Sequence, residues 1–252
     1  MGLDGRHALV TGGSRGIGAA IAAALALAGA RVTVLGRDRV ALDAVAARTG
    51  GRAVVADVTD AAALDAAIAS AEQALGPVDI LVNNAGSAET AKFAATDDDL
   101  WERMIVSNLI SVVLVTRRVL PGMLERDWGR IVTVASTAGL KGYAYASAYS
   151  AAKHAVIGLT RSLALETART GVTVNAVCPG YTDTDLVRGS VARLAERTGK
   201  AAEALVAEMV AGNPQRRLIE PEEVARTVVW LADPASGSMT GQAIAVAGGE
   251  IM

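Results

Sequence analysis

Short β-branched runs alternate along this chain with longer Ala- and Leu-rich segments of helical period, and that alternation most limits how it can fold. Strands joined through helices form repeated βαβ units, hence a parallel sheet with helices on both faces. Strands are predicted at His7–Thr11, Arg31–Leu35, Arg52–Ala56, Ile80–Val82, Arg130–Ala135, Thr173–Val177 and Ala243–Val246. They are nearly continuous apolar runs, as burial on both faces demands. Between the first two, Ile17, Ala20, Ile21, Ala24, Leu25 and Ala28 recur at helical spacing, and Gly29 sits just past the helix end, where left-handed geometry favours glycine. Further helices are predicted over Arg39–Arg48, Ala61–Leu75, Asp98–Glu125, Ala148–Arg169 and Pro221–Leu231, the last opened by a proline with Glu222 and Glu223 in its first turn. The fold class is therefore α/β, a doubly wound seven-stranded parallel sheet. With neither a linker-like stretch nor a fixed-period repeat, residues 1–252 are expected to form one domain. Segment 185–215 breaks the alternation. Inserted at a strand's C-terminal end, it is expected to be a substrate lid, with a plain surface helix pair as the alternative.

Composition removes several functions. With 24 Lys+Arg against 26 Asp+Glu, the net charge of −2 argues against a general nucleic-acid or anionic-membrane binder. Aromatic residues make up 3%, so base-stacking platforms are scarce. A single cysteine, Cys178, excludes an intrachain disulfide framework and fits a reducing compartment. The most apolar stretches, Ile21 to Ala30 and Leu109 to Thr116, fall short of the ~20 residues of a membrane span. The start, Met1 to Arg6, lacks an apolar signal region, which makes a cytoplasmic location the expectation. His7 lies in the first strand and His154 follows Lys153, so neither a Ser/His/Asp triad nor a metal cluster is indicated. Cys178 reads as a buried, inert thiol, and Trp101, Trp128 and Trp230 as packing or interface residues.

The first strand runs into Thr11-Gly12-Gly13-Ser14-Arg15-Gly16-Ile17-Gly18 and then a helix. Glycines at 12, 16 and 18 let the backbone turn tightly and approach a pyrophosphate at the helix N-terminus. The spacing is Gly-x-x-x-Gly-x-Gly, not the common Gly-x-Gly-x-x-Gly; its placement between strand and helix carries the reading. An acidic residue ending the second strand would bind ribose hydroxyls. Here Gly36 and then Arg37 occupy that place, and Arg15 lies in the glycine loop. Two guanidiniums suit a 2′-phosphate, so NADP(H) is the expected cofactor and NAD(H) the alternative. Asp57, beside Val58 after the third strand, is either an acceptor for the adenine amino group or a helix N-cap.

The glycine loop, Asn83-Asn84-Ala85-Gly86, Asn108, Ser136, Tyr149-x-x-x-Lys153 and Pro179-Gly180 together resemble a short-chain dehydrogenase/reductase, over nearly the whole chain to Gly248-Gly249. The resemblance implies a single-domain Rossmann fold that interconverts a ketone and a secondary alcohol. Hydride transfer to a ketone leaves an alkoxide needing a proton and an oxyanion donor. Tyr149 and Lys153, four apart, share one helix face, and a nearby ammonium lowers a phenol pKa from ~10 by about one to three units. Tyr149 is the expected acid/base, Lys153 its electrostatic partner, and Ser136 the donor to the substrate oxygen. The resemblance adds a ribose contact for Lys153 and gives Asn108 a water in the proton relay. It places Asn84, Ala85 and Gly86 against the adenosine side, the Thr182 backbone on the carboxamide beyond Pro179-Gly180, and Thr184 at the cofactor phosphates. Tyr181 either lines the substrate pocket or packs.

Within the family the chain is similar to 3-oxoacyl thioester reductases, carrier-protein and polyketide types included, through Gly129-Arg130-Ile131-Val132 and Gly171 to Gly180. In the carrier-protein reductases it resembles, two arginines near these points dock an acidic acyl carrier protein. Arg130 matches the first, but Thr170 holds the second position, with Arg169 adjacent. Coenzyme A thioesters and free secondary alcohols thus stay open as substrates, and Arg188, Arg193, Arg216 and Arg217 are candidates for a CoA phosphate or a solvated surface. An NAD-linked dehydrogenase of a hydroxyacyl-CoA or of an alicyclic or aromatic alcohol is the catalytic alternative; a dinucleotide sensor without turnover is the remote one. The resemblance also implies a homotetramer paired through helices 98–125 and 148–169, whose apolar faces need partners.

Overall fold

The structure, a computed structural model, describes residues 2–252. Seven parallel strands form one sheet: β1 (His7–Thr11), β2 (Arg31–Gly36), β3 (Arg52–Val55), β4 (Ile80–Asn83), β5 (Gly129–Val134), β6 (Val172–Pro179) and β7 (Ala243–Val246), in the spatial order β3-β2-β1-β4-β5-β6-β7. Each lies where the sequence predicts it, within a residue or two. Strand β6 is the longest departure: it runs on through Pro179, which pairs with Val246. A proline is tolerated there because the strand ends with it and Gly180 supplies the next donor, to Val246 O at 3.1 Å.

Alternate strand residues feed opposite faces. Ala8, Val10, Ile80, Val82 and Val132 pack under helices α1 (Gly16–Leu27), α2 (Arg39–Thr49) and α9 (Pro221–Ala232). Leu9, Leu81 and Ile131 pack under α3 (Ala61–Leu75), α5 (Ser111–Glu125) and α6 (Ser147–Thr167). Because β1 leads outward to β2 on one side while β4 lies on its other side, the connections leaving β1 and β4 diverge. That reversal opens a crevice at the C-terminal ends of the central strands.

The predicted helix over Asp98–Glu125 is interrupted. It consists of α4 (Asp98–Ile105), a wider π turn over Val106–Ile110, and α5. By length and hydropathy this 28-residue run could cross a membrane, a property the short apolar stretches did not disclose. Here it covers the sheet, with Met104, Val112, Val115, Val119 and Met123 buried. Segment 185–215 holds α7 (Asp185–Thr198) and α8 (Ala202–Met209). Asp57 does not cap α3; Asp60 does, accepting from Ala62 N and Ala63 N, while Asp57 closes a turn on Thr59.

Candidate active site

The glycine loop is shaped by Thr11 and Asn84. Thr11 Oγ1 accepts from Asn84 N (3.0 Å) and Ala85 N (3.1 Å), and Asn84 Nδ2 donates to the carbonyls of Thr11 and Gly12 at 3.0 Å each. Side chains have no room in this loop. A Cβ on Gly12, which has φ of +62°, would lie 2.9 Å from Ala85 Cα, and one on Gly18 would lie 2.3 Å from Gly12 O. Gly16 opens α1, where Arg15 precedes it in extended backbone; a Cβ on Gly16 would meet Thr184 at 3.2 Å. Ser14, Ile17, Gly18 and Thr184 therefore surround a helix N-terminus with free backbone donors, a fit for a dinucleotide pyrophosphate. Thr184 also caps α7 through Val187 N. Thr182, beyond Pro179 and Gly180, pairs with Ile219 in a single parallel bridge.

At the end where the adenosine is expected, the guanidiniums of Arg15 and Arg37 are exposed, but each has an acidic neighbour. Arg15 lies 3.7 Å from Asp38, and Arg37 lies 3.7 Å from Asp57. Both contacts are loose and solvated, and Asp38 also caps α2 through Ala41 N. The Thr59 hydrogen bonds hold the Asp57 carboxyl below its ordinary range, so it stays anionic beside Arg37. Val58 packs partly buried against the α3 side of the core.

The second half of the site gathers around Lys153. This side chain is 6% exposed, and its Nζ donates to Val134 O at 3.0 Å and lies 5.7 Å from the Tyr149 ring centre. Burial pushes its pKa down to about 8. The π turn aims Asn108 at the same place: Nδ2 donates to Ser87 O (2.9 Å) and Met104 O (3.0 Å), while Oδ1 is buried without a partner. Exposed Gly86 faces both groups, since a Cβ on it would lie 2.7 Å from Asn108 Oδ1 and 3.8 Å from Lys153 Nζ. An orphaned acceptor and a buried ammonium thus converge on one opening of the crevice, a fit for a water and a ribose edge. Ser136 ends the stretch after β5 and accepts from Ala138 N at 3.1 Å. Tyr149 departs from expectation: burial pushes its phenol up, with the Ser136 hydrogen bond the main opposing influence.

Other expected contacts fall elsewhere. Arg130 is 3% exposed and spends its guanidinium on the carbonyls of Gly129, Gly171 and Pro234 beside Trp128, so it offers no surface charge to a carrier protein. Arg188 and Arg217 are bidentate to Asp183 and Glu223, which weakens their case as CoA ligands. Cys178 is fully buried and its thiol is pushed up to about 11, consistent with an inert group. Thr11 and Gly13 stand in the sequence motif without a role of their own; a Cβ on Gly13 would strike Val34 at 2.8 Å, a clash no local pattern announces.

A doubly wound sheet with a glycine-lined helix N-terminus at its switch point and a Tyr–Lys pair beside it defines a dinucleotide-binding oxidoreductase. The short chain dehydrogenase family model matches residues 6–195, and the chain belongs to that family. It is 42% identical to a D-beta-hydroxybutyrate dehydrogenase of Cupriavidus necator, over 95% of both chains. It is also 42% identical to an acetoacetyl-CoA reductase of Shinella zoogloeoides, over 97% of this chain and 98% of that one. The crystal structure of a variant actinorhodin polyketide ketoreductase with NADPH superposes with a TM-score of 0.93 at 39% identity, over 97% of each chain.

Proposed function

We propose that this chain reduces the ketone of a 3-oxoacyl thioester, reversibly, with NADP(H) as the preferred cofactor. The observation that carries this is the convergence of Lys153 Nζ and the orphaned Asn108 Oδ1 on the opening beside Gly86, under Tyr149. A bound nicotinamide dinucleotide supplies or takes up the hydride. Ser136 Oγ donates a hydrogen bond to the substrate oxygen, and Tyr149 delivers the proton to the developing alkoxide. Lys153 holds positive charge beside the phenol, and Asn108 Oδ1 holds a water through which Tyr149 is reprotonated. Gly12, Gly16, Gly18, Arg15, Arg37 and Thr184 hold the cofactor's phosphates, and segment 185–215 closes over the substrate.

The names of its relatives favour a 3-oxoacyl substrate. A CoA thioester is preferred over a carrier-protein one because Arg130 is buried. The test is consumption of NADPH or NADH with acetoacetyl-CoA, with Tyr149→Phe as the blank. Turnover favouring NADPH is expected, and equal rates with both cofactors would remove the phosphate-clamp argument. Arg37→Asp should move preference towards NADH; unchanged selectivity would exclude Arg37 from the clamp.

A further inference from the structure

The end of the described chain brings a carboxylate back to the catalytic loop. Gly248 and Gly249 take φ of +60° and +88°, and a Cβ on Gly248 would lie 2.3 Å from Asn213 Oδ1, so only glycine makes this turn. The turn sends Glu250 inward, where its side chain is 6% exposed. Glu250 Oε1 accepts from Tyr143 OH at 2.5 Å and lies 2.9 Å from Lys141 Nζ. Gly180 leaves it space, since a Cβ there would lie 3.2 Å from Oε2. Tyr143 OH also meets Thr137 Oγ1 at 2.7 Å. An ionised carboxylate only accepts, so the Tyr143 proton is committed to Glu250 and Thr137 is the donor to Tyr143. Thr137 directly follows Ser136, and Tyr143 packs edge-on against Tyr181 on the loop after β6, ring centres 6.4 Å apart.

We propose that Glu250 is a positioning residue: through Tyr143 and Thr137 it fixes the 137–146 loop that joins Ser136 to Tyr149, and so sets the geometry of that pair. Nothing in the proposed proton path uses this chain of bonds, yet it spans the loop between the two reacting side chains. Burial, reinforced by the Glu250 bond, pushes the Tyr143 phenol well above its ordinary range, which keeps it a donor throughout the working pH. The inference rests on the ketoreductase reading for its kinetic consequence, but the ordering of the loop does not.

Glu250→Ala and Glu250→Gln separate the possibilities, since the amide oxygen of glutamine still accepts from Tyr143. Glu250→Ala should lower kcat at least tenfold with KM for NADPH within twofold, and speed amide hydrogen exchange in 137–146 at least tenfold. Glu250→Gln should stay within threefold of the parent in both. The inference is overturned if exchange in 137–146 is unchanged in Glu250→Ala, or if both variants lose activity equally. Equal kcat for Glu250→Ala and an active parent would overturn it too. A parent that leaves the ketone untouched counts against the ketoreductase reading instead, and the exchange measurement then decides the role of Glu250 alone.

Discussion

A side chain on Gly86 would crowd Asn108 Oδ1 and sit against Lys153 Nζ, filling the opening they face. Gly86→Ala should therefore cut turnover by about 10²-fold, the scale on which small misplacements of reacting groups act, while circular dichroism and melting temperature stay near the parent's. Replacing the proposed proton donor is more severe. Tyr149→Phe should lose about 10²–10⁴-fold in kcat, with NADPH binding by fluorescence retained. Lys153 illustrates the tension between function and stability. Its charge is costly to bury, and between about 8 and the ordinary 10.5 the native state gives up a proton that the unfolded chain keeps. Stability linked to this residue thus rises with pH across that window. Lys153→Met should abolish turnover yet raise stability at pH 7 by on the order of 1–3 kcal/mol, an advantage that calorimetry should find shrinking towards pH 10.5.

Among the elements, the strands and most helices were legible because burial on both faces writes itself into local composition. The π turn at Val106–Ile110 was not. One extra residue in a helical turn leaves the apolar period almost intact, yet it decides where Asn108 points. The start of β1 carries a second device that the sequence shows only as an isolated histidine. His7 is buried, with Nδ1 against Gly76 O at 2.7 Å and Nε2 against Thr33 Oγ1 at 2.9 Å. Burial lowers its pKa below 6.5, so its contribution is present above 6.5 and is lost as pH falls through the native value. The melting temperature of the parent should drop below pH 6.5. His7→Asn should cost about 1–3 kcal/mol at pH 7.5 and flatten that drop; an equally steep drop in the variant would remove His7 as its cause.

At the scale of the whole molecule, exposed apolar surface calls for partners. The most apolar window of Asp98–Glu125 is only 39% buried, and Leu165 on α6 is 80% exposed. These faces ask only for partners; a homotetramer paired through them is the assembly that the family resemblance implies, and we propose it for this chain. Light scattering should give a mass of about four chains for the parent and a smaller one for Leu165→Arg at unchanged circular dichroism. By itself the sequence determined the sheet, its parallel sense and the glycine-lined turn after β1, because strand burial, helix period and short spacings are local; the roles expected of Ser136, Tyr149 and Lys153 came from the family resemblance. Only the tertiary structure decided that Arg130 is buried, that Asp38 and Asp57 flank the two exposed arginines, that Gly86 faces Asn108, and that Glu250 reaches Tyr143 across 107 positions. Those contacts join segments whose separation along the chain carries no periodic signal. Arg130 is buried at the N-terminal edge of the sheet, and the other contacts arise where the parallel crossovers bring the C-terminal ends of the central strands to one crevice.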